Sequence, residues 1–151
     1  MVTCTVENRE KMNLTTLFDQ GTYSKACKAF DHQPALKELL NFLEDERLND
    51  RLNNPGIARM VKNYFFELTL IIFESARLIK QGGYFVMVND NVRYAGRNIP
   101  VDLILSRIAE AAGYTTKKIW VLPVGKGNSS QQMGVHGREE LRKCVYVWRR
   151  L

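Results

Sequence analysis

Cysteine is scarce in this chain. Cys4, Cys27 and Cys144 are odd in number, widely separated and free of any C-x-x-C pair, which excludes a disulfide framework and points to a reducing compartment. Cys27 and His32 have no second ligand pair at suitable spacing, so no metal is assigned. Long apolar runs are missing too. The greasiest stretch, LTLIIF at 68–73, sits between Glu67 and Glu74, far short of the ~20 residues that a bilayer crossing requires. The opening residues, MVTCTVENREKMN, hold no apolar segment of the secretory kind. The expectation is a soluble, cytoplasmic protein with no membrane attachment. Internal repeats and low-complexity tracts are absent, and the four prolines, at 34, 55, 100 and 123, are nowhere adjacent.

What is present suits one globular domain: 151 residues, 45% of them hydrophobic, enough to close a core. Lysine and arginine number 22 against 16 acidic residues, a net charge of +6, which favours polyanionic partners.

Residues 1–55 are rich in Thr, Asn, Asp and Lys and read as a helical segment with loops. Its clearest element is PALKELLNFLEDERLN, where Leu36, Leu39, Leu40, Leu43 and Leu48 form an apolar stripe at helical spacing. RLNNPG at 51–56 supplies a turn. A greasier helix follows, IARMVKNYFFELTLIIFESARLIKQ, with Met60, Tyr64, Leu68, Ile71, Ile72, Ser75 and Ile79 on one face and Gly82 and Gly83 ending it. These Met and aromatic positions read as plain core. Next come the strand YFVMV, a polar loop NDNVRYAGRNIP, and a helix VDLILSRIAEAAG. In that helix Pro100 suits the first turn, Val101, Ile104, Leu105, Ile108 and Ala112 are inward, and Gly113 is the cap. The strand TTKKIWVLP, the long loop GKGNSSQQMGVHGREELRK and a last strand KCVYVWRR complete the chain. This order is that of an α/β protein, with the last two strands pairing antiparallel across the loop in a mixed sheet.

The run GGYFVMVNDN at 82–91 raises a question of its own. Five consecutive apolar side chains suggest a strand buried on both faces, as in parallel sheets. With only three strands the sheet has a bare edge beside YFVMV, and a strand so apolar makes a poor edge. A neighbour is expected there, either another polypeptide or a second copy. Ligands of open α/β sheets sit beyond the carboxyl ends of strands, which makes Asn89, Asp90 and Asn91 candidate substrate-binding residues. The same triplet also reads as a strand-end turn whose amides satisfy one another.

A second candidate lies in the long loop. Ser129, Ser130, Gln131, Gln132 and His136 could meet a substrate, and Lys126, Arg138, Arg142 and Lys143 could hold phosphates. From Lys117 onward there are eight Lys or Arg against two Glu. A solvated loop is the plainer reading of such charge. Arg93 and Arg97, in the loop after Asp90, join the nucleic-acid-binding candidates.

The run from ARLIKQGGYFVMVNDN through IPVDLILSRIAEAAGYTTKKIWVLP to ELRKCVYVWRR resembles the C-terminal half of the Rossmann-like catalytic domain of S-adenosylmethionine-dependent DNA methyltransferases of the amino-methylating type. The resemblance implies a partial methyltransferase sheet of three strands, the last antiparallel, with flanking helices. Residues 1–55 would be a helical variable segment and residues 56–151 the C-terminal half of the domain. It implies S-adenosylmethionine as methyl donor and DNA as substrate. An RNA target, or a non-catalytic basic nucleic-acid-binding remnant, fits the same residues. Two family motifs are missing: the F-x-G-x-G turn after the first strand and the Asp/Asn/Ser-Pro-Pro-aromatic tetrapeptide. An exocyclic base amine is a weak nucleophile that needs positioned acceptors and a flipped base, so no catalytic residue is assigned here. An upstream methyltransferase polypeptide is the implied partner.

Overall fold

The computed structural model of the chain describes residues 20–123 and 141–151. Helices α1 (Gln20–Asp31), α2 (Pro34–Leu48) and α3 (Ile57–Leu78) come first. Strand β1 (Tyr84–Asp90), a hairpin of β2 (Val92–Tyr94) and β3 (Arg97–Ile99), helix α4 (Val101–Ala111), β4 (Tyr114–Val121) and β5 (Lys143–Arg150) follow.

Local chemistry sets several of the boundaries. The Gln33 side chain accepts a hydrogen bond from the Leu36 amide at 3.1 Å and Pro34 fills the first helical position, so α2 begins where the chain can no longer extend α1. At the end of α3, Gly82 takes φ +79, and a Cβ on Gly83 would come within 2.9 Å of the Lys80 carbonyl; only glycine permits so tight an exit. Pro100 stands at the N-cap of α4, one residue ahead of the first-turn position that the sequence suggests.

The main sheet has the order β1-β5-β4, with β5 antiparallel to both neighbours. β1 and β4 run the same way but never touch. Each described pairing is therefore antiparallel, and the expected mixed character would need a strand on the free side of β1. The three-stranded α/β arrangement with an antiparallel last strand is as the sequence indicates.

One face of this sheet packs against helices. Phe85, Met87 and Asn89 pair across from Trp148, Tyr146 and Cys144, and both α3 and α4 lie against them. Tyr64 of α3 bonds Asn89 at 2.9 Å, Ser75 of α3 meets Tyr114 at 2.9 Å, and the Trp148 indole donates to Ser106 of α4 at 3.1 Å. Trp148, Tyr146, Phe85 and Tyr114 form an aromatic cluster, with Tyr146 stacked on Trp148 at 5.5 Å. The helices α1 and α2 extend the same core, with Phe30 edge-on to Phe66 at 5.3 Å.

Three expectations are corrected. β1 is not buried on both faces: Tyr84, Val86 and Val88 are 58%, 52% and 51% exposed, because both helices pack on the opposite side. Leu48 and Ile71 lie outside the core; Leu48 ends α2 and faces solvent. The segment NDNVRYAGRNIP is a hairpin rather than a loop, turning at Ala95 and Gly96, both with positive φ. Three-residue strands flanking an Ala-Gly turn are too short to show alternation in sequence. Among the described residues no helix is long and apolar enough to cross a membrane.

Candidate functional site

The carboxyl end of β1 opens into a pocket of about 410 Å³. Met60, Val61, Tyr64 and Phe65 of α3 form one wall, Val92 and Tyr94 of the hairpin another, and Val88, Asn89, Asp90 and Lys143 the rim. Side chains from both faces of β1 line it together with Lys143 of the paired strand β5, which places the pocket at the carboxyl end of β1. Its size and its mixture of two tyrosines, aliphatic walls and few polar groups suit a planar organic ligand.

Asn89 accepts from the Tyr64 hydroxyl at 2.9 Å, so its amide plane is fixed and its NH2 group points along a set direction. Asp90 is exposed and stands 3.8 Å from Lys143. Both strand-end residues and Lys143 are thus brought together at the pocket.

Asn91 belongs to a different construction. It is buried, its amide donates to the Arg142 carbonyl at 2.8 Å, and its side-chain oxygen accepts from the Asp102 amide at 3.2 Å. Asp102 is 1% exposed and pairs with the Arg142 guanidinium at 2.9 Å; the Cys144 thiol donates to the same carboxylate at 3.4 Å. Burial pushes the Cys144 thiol up to about 11, helped by the neighbouring carboxylate. Burial likewise raises the Tyr146 phenol, whose hydroxyl has no hydrogen-bond partner among the described residues. The end of β1, the start of α4 and the start of β5 are tied together through Asp102.

The other candidate cations are dispersed. Arg97 pairs with Glu38 of α2 and lies over the Phe42 ring at 5.0 Å, while Arg93 donates to the Gly96 carbonyl at 3.1 Å. Lys126, Ser129, Ser130, Gln131, Gln132, His136 and Arg138 lie outside the described residues.

Sequence reasoning passed over Tyr64 and Asp102. Tyr64 read as core, and its link to Asn89 spans 25 positions that no local pattern reveals. Asp102 did carry a signal: Leu105, Ser106 and Ala109 fall at i+3, i+4 and i+7 from it and all are buried, so a carboxylate sits on the inward stripe of α4 and must find a partner there.

The two edges of the sheet differ in kind. β4 carries Lys117 and Lys118 and a register shift between Thr116 and Lys118, both common protections of a true edge. β1, YFVMVND, pairs with β5 in unbroken register and contains no lysine, proline or bulge. It is built as an interior strand. The three-stranded unit therefore has one protected edge, at β4, and one edge, at β1, with no described neighbour and no protective feature.

The chain is 54% identical over 150 residues to the type II methyltransferase M.AvaI of Nostoc sp. and to that of Anabaena variabilis, and 42% identical over 152 residues to the type II methyltransferase M.BsoBI of Geobacillus stearothermophilus. The matches take in 97–99% of this chain but about 30% of the length of these relatives. The chain thus spans about a third of the length of the type II methyltransferases to which it is similar. None of the family models matches it, and no solved structure does.

Proposed function

We propose that these residues form the C-terminal half of the catalytic domain of an S-adenosylmethionine-dependent DNA methyltransferase acting on an exocyclic base amine. In this reading 1–55 is the helical variable segment and 56–151 the half-domain. The observation that carries the proposal is the pocket at the carboxyl end of β1, a strand whose other edge has no described neighbour, in a chain that matches type II methyltransferases over about 30% of their length. A neighbouring strand on that edge would close the pocket and deliver to it the acceptor groups that methyl transfer needs.

The described residues do not fit the methyl donor by themselves. The glycines with positive φ are Gly82, Gly96 and Gly113; two end helices and one turns a hairpin, and none leads from a strand into a helix as a cofactor-cradling turn does. The donor site is therefore assigned to polypeptide outside these residues. Here Asn89, Asp90 and Lys143 form the wall facing the base, and Tyr64 holds Asn89 in place. Lys126, Arg138 and Arg142, with Arg93 and Arg97 on the hairpin, contribute the nucleic-acid contacts, Ser129, Ser130, Gln131, Gln132 and His136 meet the substrate, and Asp102 holds the Arg142 guanidinium.

The test is transfer of labelled methyl groups from S-adenosylmethionine to duplex DNA, and to RNA, by the chain alone and mixed with the portion of Nostoc M.AvaI that it does not match. Transfer to DNA in the mixture only is expected. Robust transfer by the chain alone would overturn the proposal, and DNA binding without transfer in either case would establish the non-catalytic nucleic-acid-binding reading.

A further inference from the structure

Asp102 is the only fully buried charged side chain among the described residues. Burying a carboxylate is costly, and pairing it with a guanidinium at the surface recovers little of that cost. Its place in the first turn of α4 offsets part, and the Leu103 amide and Cys144 thiol donate to it at 3.0 and 3.4 Å. The partner is held unusually. The Arg142 carbonyl accepts from the Asn91 amide at 2.8 Å while its guanidinium reaches Asp102 at 2.9 Å, yet the side chain is 49% exposed. The fork is gripped on one side and open to solvent on the other. By contrast, Arg47, Arg77 and Arg107 pair with carboxylates one helical turn away that are themselves partly open, and such pairs orient a side chain weakly. The clamp also lies against the pocket: Asn91 stands between Asp90 and Val92, Asp102 follows Val101 and Arg142 precedes Lys143, and all four of these chain neighbours line it.

We infer that Asp102 is a positioning residue: it fixes Arg142 from behind, so that the open side of the guanidinium takes a DNA backbone phosphate at the mouth of the pocket. The inference rests on the nucleic-acid contact proposed above for Arg142 and adds the residue that aims it. A planar guanidinium matches phosphate oxygens two at a time, and that match depends on its orientation. A long side chain ordered in advance loses less freedom when the ligand arrives. Lys143, exposed and 3.8 Å from Asp90, sets a second cation beside the first. On this account the buried carboxylate serves the direction of Arg142 more than the stability of α4.

The test is a titration of labelled duplex DNA, followed by fluorescence anisotropy, with the chain alone and with the chain mixed with the portion of Nostoc M.AvaI that it does not match. Arg142→Ala should weaken binding about tenfold and lower the slope of log affinity against log salt by about one. Asp102→Asn should weaken it by about three- to tenfold, although loss of a negative charge near phosphate would by itself tighten binding. In the Arg142→Ala background the same Asp102→Asn change should cost nothing. Equal losses in both backgrounds would make Asp102 merely structural and overturn the inference. Tighter binding by Asp102→Asn, or no measurable DNA binding in either arm, overturns it too. Circular dichroism checks the fold of each variant. If Asp102→Asn does not fold, Arg142→Lys takes its place: it keeps the charge but not the fork, so the same loss is expected with the salt slope unchanged, and parental affinity would overturn the inference. Methyl transfer in the mixture separates this from the enzymatic reading. Coupling of Asp102 to Arg142 without transfer leaves the positioning role standing and removes the enzyme; transfer with equal losses in both backgrounds removes the positioning role alone.

Discussion

The two faces of the three-stranded sheet are written in nearly the same alphabet and have opposite fates. Inward, Tyr146 and Trp148 are fully buried beneath α3 and α4 and Phe85 and Met87 partly so; outward, Tyr84, Val86, Val88 and Trp120 stay about half exposed. Apolar character therefore states a demand for cover. Whether the demand is met depends on which side the chain's own helices take.

Truncating the inward face should do the most harm. Trp148→Ala removes a fully buried ring that touches three other aromatics and donates to Ser106, and it should cost about 3–5 kcal/mol in urea unfolding. A loss under about 1 kcal/mol would show that the two faces are energetically alike. Next in size is Asp102→Ala, which strands Arg142 and the Cys144 thiol. Because the Arg142 side chain is half exposed and can turn to water, the expected cost is about 1–3 kcal/mol, and rapid alkylation of Cys144 should accompany it.

That thiol also gives the inward face a pH dependence. Its folded value, about 11, is raised above the ordinary 9.0. The stabilising contribution of the neutral thiol is complete below pH 9 and is lost as pH rises from there through about 11, the folded state then holding more protons than the unfolded one. Unfolding curves at pH 8 and pH 10.5, compared between the parent and Cys144→Ala, isolate this slope. Smaller again is Tyr64→Phe, which deletes one hydrogen bond to Asn89 and should lower stability by about 0.5–1.5 kcal/mol. The smallest effect belongs to the outer face. Val86→Thr in the isolated chain should change the unfolding free energy by less than about 0.5 kcal/mol, and a larger loss would mean that the outer valines are already packed.

Much of this was readable before any coordinates. The period of Leu36, Leu39 and Leu43 and that of Ile104, Leu105 and Ile108 marked the inner sides of α2 and α4, because helical spacing depends on nothing beyond the chain itself. The unfinished edge of β1 was legible as well, since a strand without lysine, proline or bulge announces a backbone neighbour. The pocket was half legible. Asn89 and Asp90 stood out as polar groups ending an apolar strand, yet the same triplet hid Asn91, which turns to Asp102 and Arg142 instead. Tyr64 reaches the pocket from 25 residues before Asn89 and Lys143 from the start of β5, and side-chain patterning does not bring together groups so far apart in the chain.

The sequence by itself determined the succession of α2, α3, β1, α4, β4 and β5, the apolar character of β1 and the absence of the F-x-G-x-G and Pro-Pro-aromatic motifs. These follow from local periodicity and from which side chains exist. Only the tertiary structure decided that α3 and α4 share one face, that the other lies open, and that β5 inserts between β1 and β4. Those outcomes depend on how far each connection reaches and on which partners bury the most apolar surface together, a global minimum that no single segment encodes.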